Sequence, residues 1–412
     1  MPFFSMAWRN LLRSKRRTLI TATSVAFGVF LAVTFTGSGD YSYTDLINTS
    51  AIMGFGHVAV EPPGYNDTPS LAKWLTHGAD IRQRVAAVEG VSAAYSRITG
   101  QGLFASGAKS VGGVFFAIDP ELESPAHNLF LRKIKQGELF ADSNGNGIVV
   151  GAKMAEKLNL RLGKKVIYTV TDKDGEMVSG VSRVAGIYKT GDDMVDGALA
   201  ILPLGRMRRV LGYGEQGATM VNVFIEDQRR ATAMRHKLAK ILGGGEHQVL
   251  SWKQTQADMA GLIAIDRASN YIMQVLVGLL IAAGIFNTIF MSVLERGREF
   301  GMMMALGMRS GQVVRLVMLE SVLIGVLGLL LGLIITAPWY IYMYNTGIDF
   351  SGLIGDDYSA GGVLIDPVMK LRLFKESVIA ILGGVFGLTL AAGIYPAWRA
   401  GRVPPVESIK VL

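Results

Sequence analysis

Few residues of this chain stand in patterns that could do chemistry, and those that do carry charge rather than catalysis. The five histidines, His57, His77, His127, His236 and His247, are scattered, form no H-E-x-x-H pair, and read as surface residues. No G-x-x-x-x-G-K-[ST] loop occurs, so the chain does not hold ATP through a P-loop. It has no cysteine, which excludes disulfides, thiolate metal sites and thiol nucleophiles. Asp192-Asp193 and Asp356-Asp357 read as solvated turns. The charges that stand out lie in ERGREFGMMMALGMRSGQ, residues 295–312, where Arg296, Arg298 and Arg309 face Glu295 and Glu299. Phe300, Met303, Met304 and Met308 recur there at helical spacing, which predicts a short amphipathic helix. Just beyond it stands Glu320, inside an apolar stretch. A carboxylate at such a place calls for a partner, either the interface or Arg315 roughly one turn earlier. Asn287, in the apolar stretch on the other side, reads as an interhelical hydrogen-bonding residue.

The elements that position these residues follow from composition. The 412 residues are 50% hydrophobic and 18% charged, with the apolar content gathered into long runs. Residues 18–39, 268–294, 313–344 and 375–397 each suit a membrane helix, which needs about 20 residues. The leader, residues 1–17, is basic and amphipathic. A cleaved signal peptide shares the layout of a basic leader and an apolar run, but this run is long and lacks an A-x-A site. The leader, residues 295–312 and the tail 398–412 are all basic, and the loop 345–374 is acidic. Short Arg-rich and Lys-rich segments stay in the cytoplasm, so both termini are expected there. The net charge of +8 is thereby explained by membrane orientation rather than by nucleic acid. Trp339, Tyr340, Tyr342 and Tyr344 form an aromatic belt at the outer interface, and Pro338 is expected to kink or end the helix.

Residues 40–267 contain no run of membrane length. Strand-like runs at 57–60, 114–118, 148–150, 166–171, 182–187, 198–202 and 220–225 alternate with helical patterns at 79–88, 152–158 and 229–242. The expected fold is therefore an α-helical membrane protein with four transmembrane helices and a large α+β domain outside the cytoplasm between helices 1 and 2. Gly328 and Gly332, with Gly325 one turn earlier, form one G-x-x-x-G, and Gly383 and Gly387 form another. Such spacing lets helix backbones approach closely, within one chain or between subunits.

The chain resembles the permease subunits of ABC transporters of the MacB, FtsX and lipoprotein-releasing (Lol-type) group. The resemblance rests on the leader AWRNLLRSKRRT, on LERGREFGMMMALGMRSGQVVRLVMLESVLIGVLGLLLG and on the ending YPAWRAGRVPPVESIK. The order of one span, a large outer domain and three spans is also similar. GHVAVEPPGYND, IVVGAKMAEKLNLRLGKKVIYTV and VAGIYKTGDDMVDGALAILPL resemble the lipoprotein-releasing branch, whereas SGLIGDDYSAGGVLIDP departs from it. The resemblance implies a bacterial inner-membrane location, a cytoplasmic ATPase dimer as partner, and a second permease subunit, identical or related. This chain would bind no cofactor, with ATP and Mg on the partner. Glu295, Arg296, Glu299, Gly301, Ala305, Leu306 and Gly307 match the coupling-helix motif that docks on the ATPase. The implied activity is extraction of lipoproteins for a periplasmic carrier. A cleft between the first and second helices, lined by Phe27, Phe30, Val33 and Phe35 with Met273, Val277 and Leu280, would suit acyl chains. Two other activities stay open: MacB-like efflux with a periplasmic adaptor and outer-membrane channel, and FtsX-like signalling to a cell-wall hydrolase.

Overall fold

The computed structural model describes residues 2–354, 359–360 and 363–403. The tail motif P-x-E-S-I and the pair Asp356-Asp357 lie outside the described residues. The chain forms two units. One is built from residues up to Ser42, from Ala264–Asp349 and from Val368 onward. The other holds Tyr43–Ile263 and Phe350–Pro367.

The first unit holds a leader helix α1 (Pro2–Arg13), most of the long helices α2 (Lys15–Ser50) and α3 (Ala257–Glu295), whose ends continue into the second unit, a short α4 (Gly297–Ala305), and long helices α5 (Ser310–Asn345) and α6 (Lys375–Ala400). By length and composition α2, α3, α5 and α6 can each cross a membrane. They run past the apolar stretches that announce them. α2 continues beyond residue 39 because Tyr43 and Ile47, four residues apart, are buried in the second unit's core. α5 passes through Pro338 without ending, unlike the expectation, and reaches Asn345. A proline in a membrane helix loses one backbone hydrogen bond but is tolerated where neighbouring groups compensate.

Small residues set the spacing of these helices. A Cβ on Gly328 would lie 2.5 Å from Val25 Cβ, and one on Gly332 would lie 2.9 Å from Val29 Cβ. α2 and α5 thus run parallel in close contact. Gly393 meets Ser321 and Gly401 meets Ser310 and Val314, so α6 runs antiparallel to α5. Gly383 and Gly387 have open space where a side chain would go, so this second glycine pair packs against nothing among the described residues. Asn287 is exposed on α3 instead of bridging two helices of the chain.

The second unit is α+β. Its strands are β1 (Val58–Glu61), β2 (Val91–Ser106), β3 (Lys109–Ile118), β4 (Ile134–Gly137), β5 (Gly147–Gly151), β6 (Lys165–Thr171), β7 (Met177–Tyr188), β8 (Leu199–Pro203), β9 (Met220–Ile225) and β10 (Gln248–Ser251). The order is β10-β1-β9-β2-β3-β8-β5-β7-β4, with β6 paired to β2 and β7. β2 is the hinge of this sheet. Its first half pairs with β9 and its second half with β3 and β6. At the changeover Arg97 and Glu123 form an ion pair with both side chains 1% exposed, and Asn128 Nδ2 donates to Glu123 Oε1 at 3.0 Å.

Three sequence expectations are corrected in this unit. His57 is buried, not on the surface. It accepts from the Ile225 N–H through Nδ1 (3.2 Å) and lies 3.0 Å from Asn48 Oδ1 through Nε2. Asp192 is not a free turn residue but the N-cap of helix Asp193–Ala198, accepting from the Met194 and Val195 N–H groups. The stretch read as a loop over 345–374 is not wholly loop: Ile348–Asp349 and Val368–Met369 pair as short antiparallel strands, and Val363 is buried in this unit's core.

Candidate functional site

A single residue, Arg296, separates α3 from α4, and four residues separate α4 from α5. The second turn closes on Gly307, whose φ of +97° is open to glycine but strained for other residues. Its N–H bonds the Met304 carbonyl, and the Met308 N–H bonds that of Met303, which satisfies the end of α4. Phe300 is fully buried, and Met303, Met304 and Met308 are half-buried beside it, so the predicted apolar side of α4 faces inward. Met302 and Leu306 face outward, Leu306 with 90% of its surface exposed.

Below α4 the charges are joined. Arg296 Nη1 donates to both carboxylate oxygens of Glu320, at 3.0 and 2.9 Å, and its Nε donates to Glu299 Oε2 at 3.0 Å. Asn10 Nδ2 of α1 donates to Glu320 Oε1 at 2.7 Å. The guanidinium also stands 5.0 Å from the Phe300 ring centroid. The Arg296 and Glu320 side chains are only 14% and 11% exposed. Glu320 therefore pairs with Arg296 and not with Arg315, which is exposed. The reason is reach: one helical turn along α5 leads outward, whereas Arg296 folds back under α4. Outside this core Arg17 pairs with Glu295 at 2.9 Å and Arg13 with Glu299 at 3.9 Å. A polar cavity of about 20 Å³ adjoins the cluster, with Thr21, Thr288, Ser292 and Ser321 in its wall. It has room for one water.

Toward the opposite ends of the helices an apolar groove of about 550 Å³ opens between α2, α3 and α6. Gly28, Leu31, Phe35, Val277, Ile281, Ile381 and Leu388 line it, with Tyr271, Gln274 and Ser377 as polar members. At Gly28 the packing against Ile281 is tight, and below it Val25, Ile285 and Ile289 close the groove with a packed core.

A family model described as the MacB-like periplasmic core domain matches residues 18–241, and one described as the FtsX-like permease C-terminal region matches residues 271–405. The chain belongs to the MacB/FtsX/lipoprotein-releasing group of ABC transporter permeases. The lipoprotein-releasing system transmembrane protein LolC of Xylella fastidiosa is 25% identical over 298 residues, 69% of each chain. The corresponding protein LolE of Haemophilus influenzae is 22% identical over 424 residues, 98% of each chain. The macrolide export ATP-binding/permease protein MacB of Neisseria gonorrhoeae is 21% identical over 98% of this chain and 60% of its own.

On this permease the seven coupling-motif residues divide into two sets. Arg296 and Gly301 face inward, Glu299 is half-buried in an ion pair with Arg296, and Glu295, although paired with Arg17, is exposed. Ala305, Leu306 and Gly307 are exposed. The expected cleft residues also divide. Phe35 and Val277 line the groove. Val33 is buried in a cluster with Val29 and Ile381, and Phe30 stacks on Phe27 and meets Trp339 at a tilt. Phe27, Met273 and Leu280 are exposed away from the groove lining. The groove draws its third wall from α6, which sequence reasoning did not include. No distinct signal marked it in sequence, because small residues such as Ala380, Gly384 and Thr389 that line it recur all along α6.

Proposed function

We propose that this permease couples ATP hydrolysis by a cytoplasmic partner to extraction of lipoproteins from the inner membrane. Both termini lie in the cytoplasm in this reading, as the basic leader favours. The exposed end of α4, with Met302, Ala305, Leu306 and Gly307, meets an ATPase that holds the ATP and Mg. Arg296 and Glu320 pass the push from α4 into α1 and α5. A second permease subunit, identical or related, completes the membrane part. The observation that carries the cargo assignment is the groove between α2, α3 and α6, apolar over most of its lining and roomy enough for acyl chain segments. Each CH₂ leaving the bilayer costs about 0.8 kcal/mol, so acylated cargo requires an external energy source. A periplasmic carrier then receives the cargo. The likeness to LolC and LolE supports this reading.

The test is ATP-driven release of acylated protein from inner-membrane vesicles holding this chain and its co-purifying partners, with a periplasmic extract as acceptor. ATP-dependent release supports the reading. ATP hydrolysis without release defeats the cargo assignment.

A second reading is export of a small molecule with a periplasmic adaptor. The match of residues 18–241 to the MacB-like core domain favours it. Mass spectrometry of native complexes separates the two, since acylated proteins accompany the first and an adaptor the second.

A further inference from the structure

A second groove, of about 280 Å³, lies where α1, α2 and α5 meet. Trp8, Leu12, Lys15 and Leu19 form one helical stripe from α1 into α2, and Leu327 and Leu331 of α5 form the facing wall. The close approach of Gly328 to Ala22 and Val25 makes the floor. Packing of Ala7 and Leu11 against Leu316, Leu323 and Ile324 fixes α1 beside it. Trp8, Leu12 and Leu19 are nevertheless exposed, at 41%, 50% and 61%.

Charge decides what fits. The leader's cations fall into two sets. Arg13 and Arg17 are engaged by Glu299 and Glu295. Lys15, Arg9 and Arg16 are exposed, and no carboxylate among the described residues pairs with them. Lys15 lines the groove beside Trp8, and no acidic side chain lines it. An apolar channel along a membrane helix with one free ammonium and an indole at its end complements an amphiphile with an anionic head and a long tail.

We propose that this groove is a binding site for one anionic phospholipid, with the tail along Leu19, Leu327 and Leu331 and the phosphate at Lys15. The leaflet, the cytoplasmic one, rests on the orientation proposed above. The bound lipid wedges α1 against α2 and α5, on the side opposite the Asn10–Glu320 bond. This site is separate from the cargo groove, which uses Gly28, Leu31 and Phe35 of α2.

The test is native mass spectrometry of the full chain, equilibrated in mixed micelles holding equal amounts of phosphatidylglycerol and phosphatidylcholine. The wild type should retain one phosphatidylglycerol in preference by about fivefold, the size of one cation's attraction to an anionic headgroup. Lys15→Glu should abolish the preference, and Leu331→Trp, which fills the groove, should remove the retained lipid. Arg9→Glu makes the same charge change outside the groove and should leave the preference intact. Equal loss in Arg9→Glu and Lys15→Glu, or retention by Leu331→Trp, would overturn the site. Labelling of Ser5→Cys from the outer side would instead overturn the leaflet together with the orientation.

Discussion

Arg296 holds both carboxylate oxygens of Glu320 from a position between two helices, while Asn10 holds one of the same oxygens from a third. The pair is buried, and buried pairs are worth little in stability against a well-packed apolar replacement. Losing one partner is different, since it strands a charge. Arg296→Met should therefore lower the stability of the detergent-solubilised chain by roughly 3–5 kcal/mol, and Glu320→Ala by less, because Arg296 keeps its bond to Glu299. The double variant Arg296→Met with Glu320→Met should recover most of that loss. Thermal melting followed by fluorescence measures it. If the recovered double variant no longer couples ATP hydrolysis to transport, the pair transmits force as well as holding the helices.

The outward residues of α4 give a separate test. Leu306→Asp and Met302→Asp touch no packed core, so folding stability should change by no more than about 0.5 kcal/mol. Co-purification of an ATPase should fall at least tenfold for Leu306→Asp. A stable variant that keeps its ATPase would remove the docking role from this surface.

Filling the cargo groove should stop transport without stopping hydrolysis. Val277→Trp places bulk between α2 and α6, whereas Leu280→Phe on the outward face of α3 serves as control. Release of acylated protein should drop in the first variant and persist in the second, at unchanged basal ATPase. Equal release in both would place the cargo elsewhere.

The α+β domain should lose stability in mild acid through His57. Burial, and then the nearby His127, lower its pKa from 6.5 to about 4. The neutral ring accepts the Ile225 N–H, a bond that protonation would break. Between those two values the unfolded chain binds the extra proton. The contribution, roughly 3 kcal/mol, is complete above about pH 6.5 and drains away as pH falls toward 4. Hydrogen exchange at the Ile225 amide across this window should follow that curve, and His57→Gln should flatten it.

Much of this architecture was legible in the sequence. Long uncharged runs can be satisfied only by helices in a membrane, so α2, α3, α5 and α6 announce themselves. The strands with β-branched alternation, such as β6 and β9, did likewise. β2 did not, because VSAAYSRITGQGLFAS carries small and polar residues whose burial comes from its neighbours. Hydrophobic spacing found the inward face of α4. The partner of Glu320 was hidden, because an ion pair between residues on different helices leaves no local trace. The groove between α2, α3 and α6 was half visible for the same reason: periodicity gives faces of α2 and α3, but only packing says that α6 closes the third side.

The order of the Glu320 partners along the chain bears on how the protein is made. Asn10 is synthesised first, then Arg296, and Glu320 follows Arg296 by 24 residues. A charged side chain costs up to about 2.5–3.5 kcal/mol at the centre of an inserting helix and less toward its ends, where Glu320 stands. Here it arrives after its donors. The leader amide and the arginine both precede Glu320 in the chain, so the costly charge is made after the groups that hold it. A circular permutant that delivered α5 first would make Glu320 before its donors, although its finished contacts would be the same.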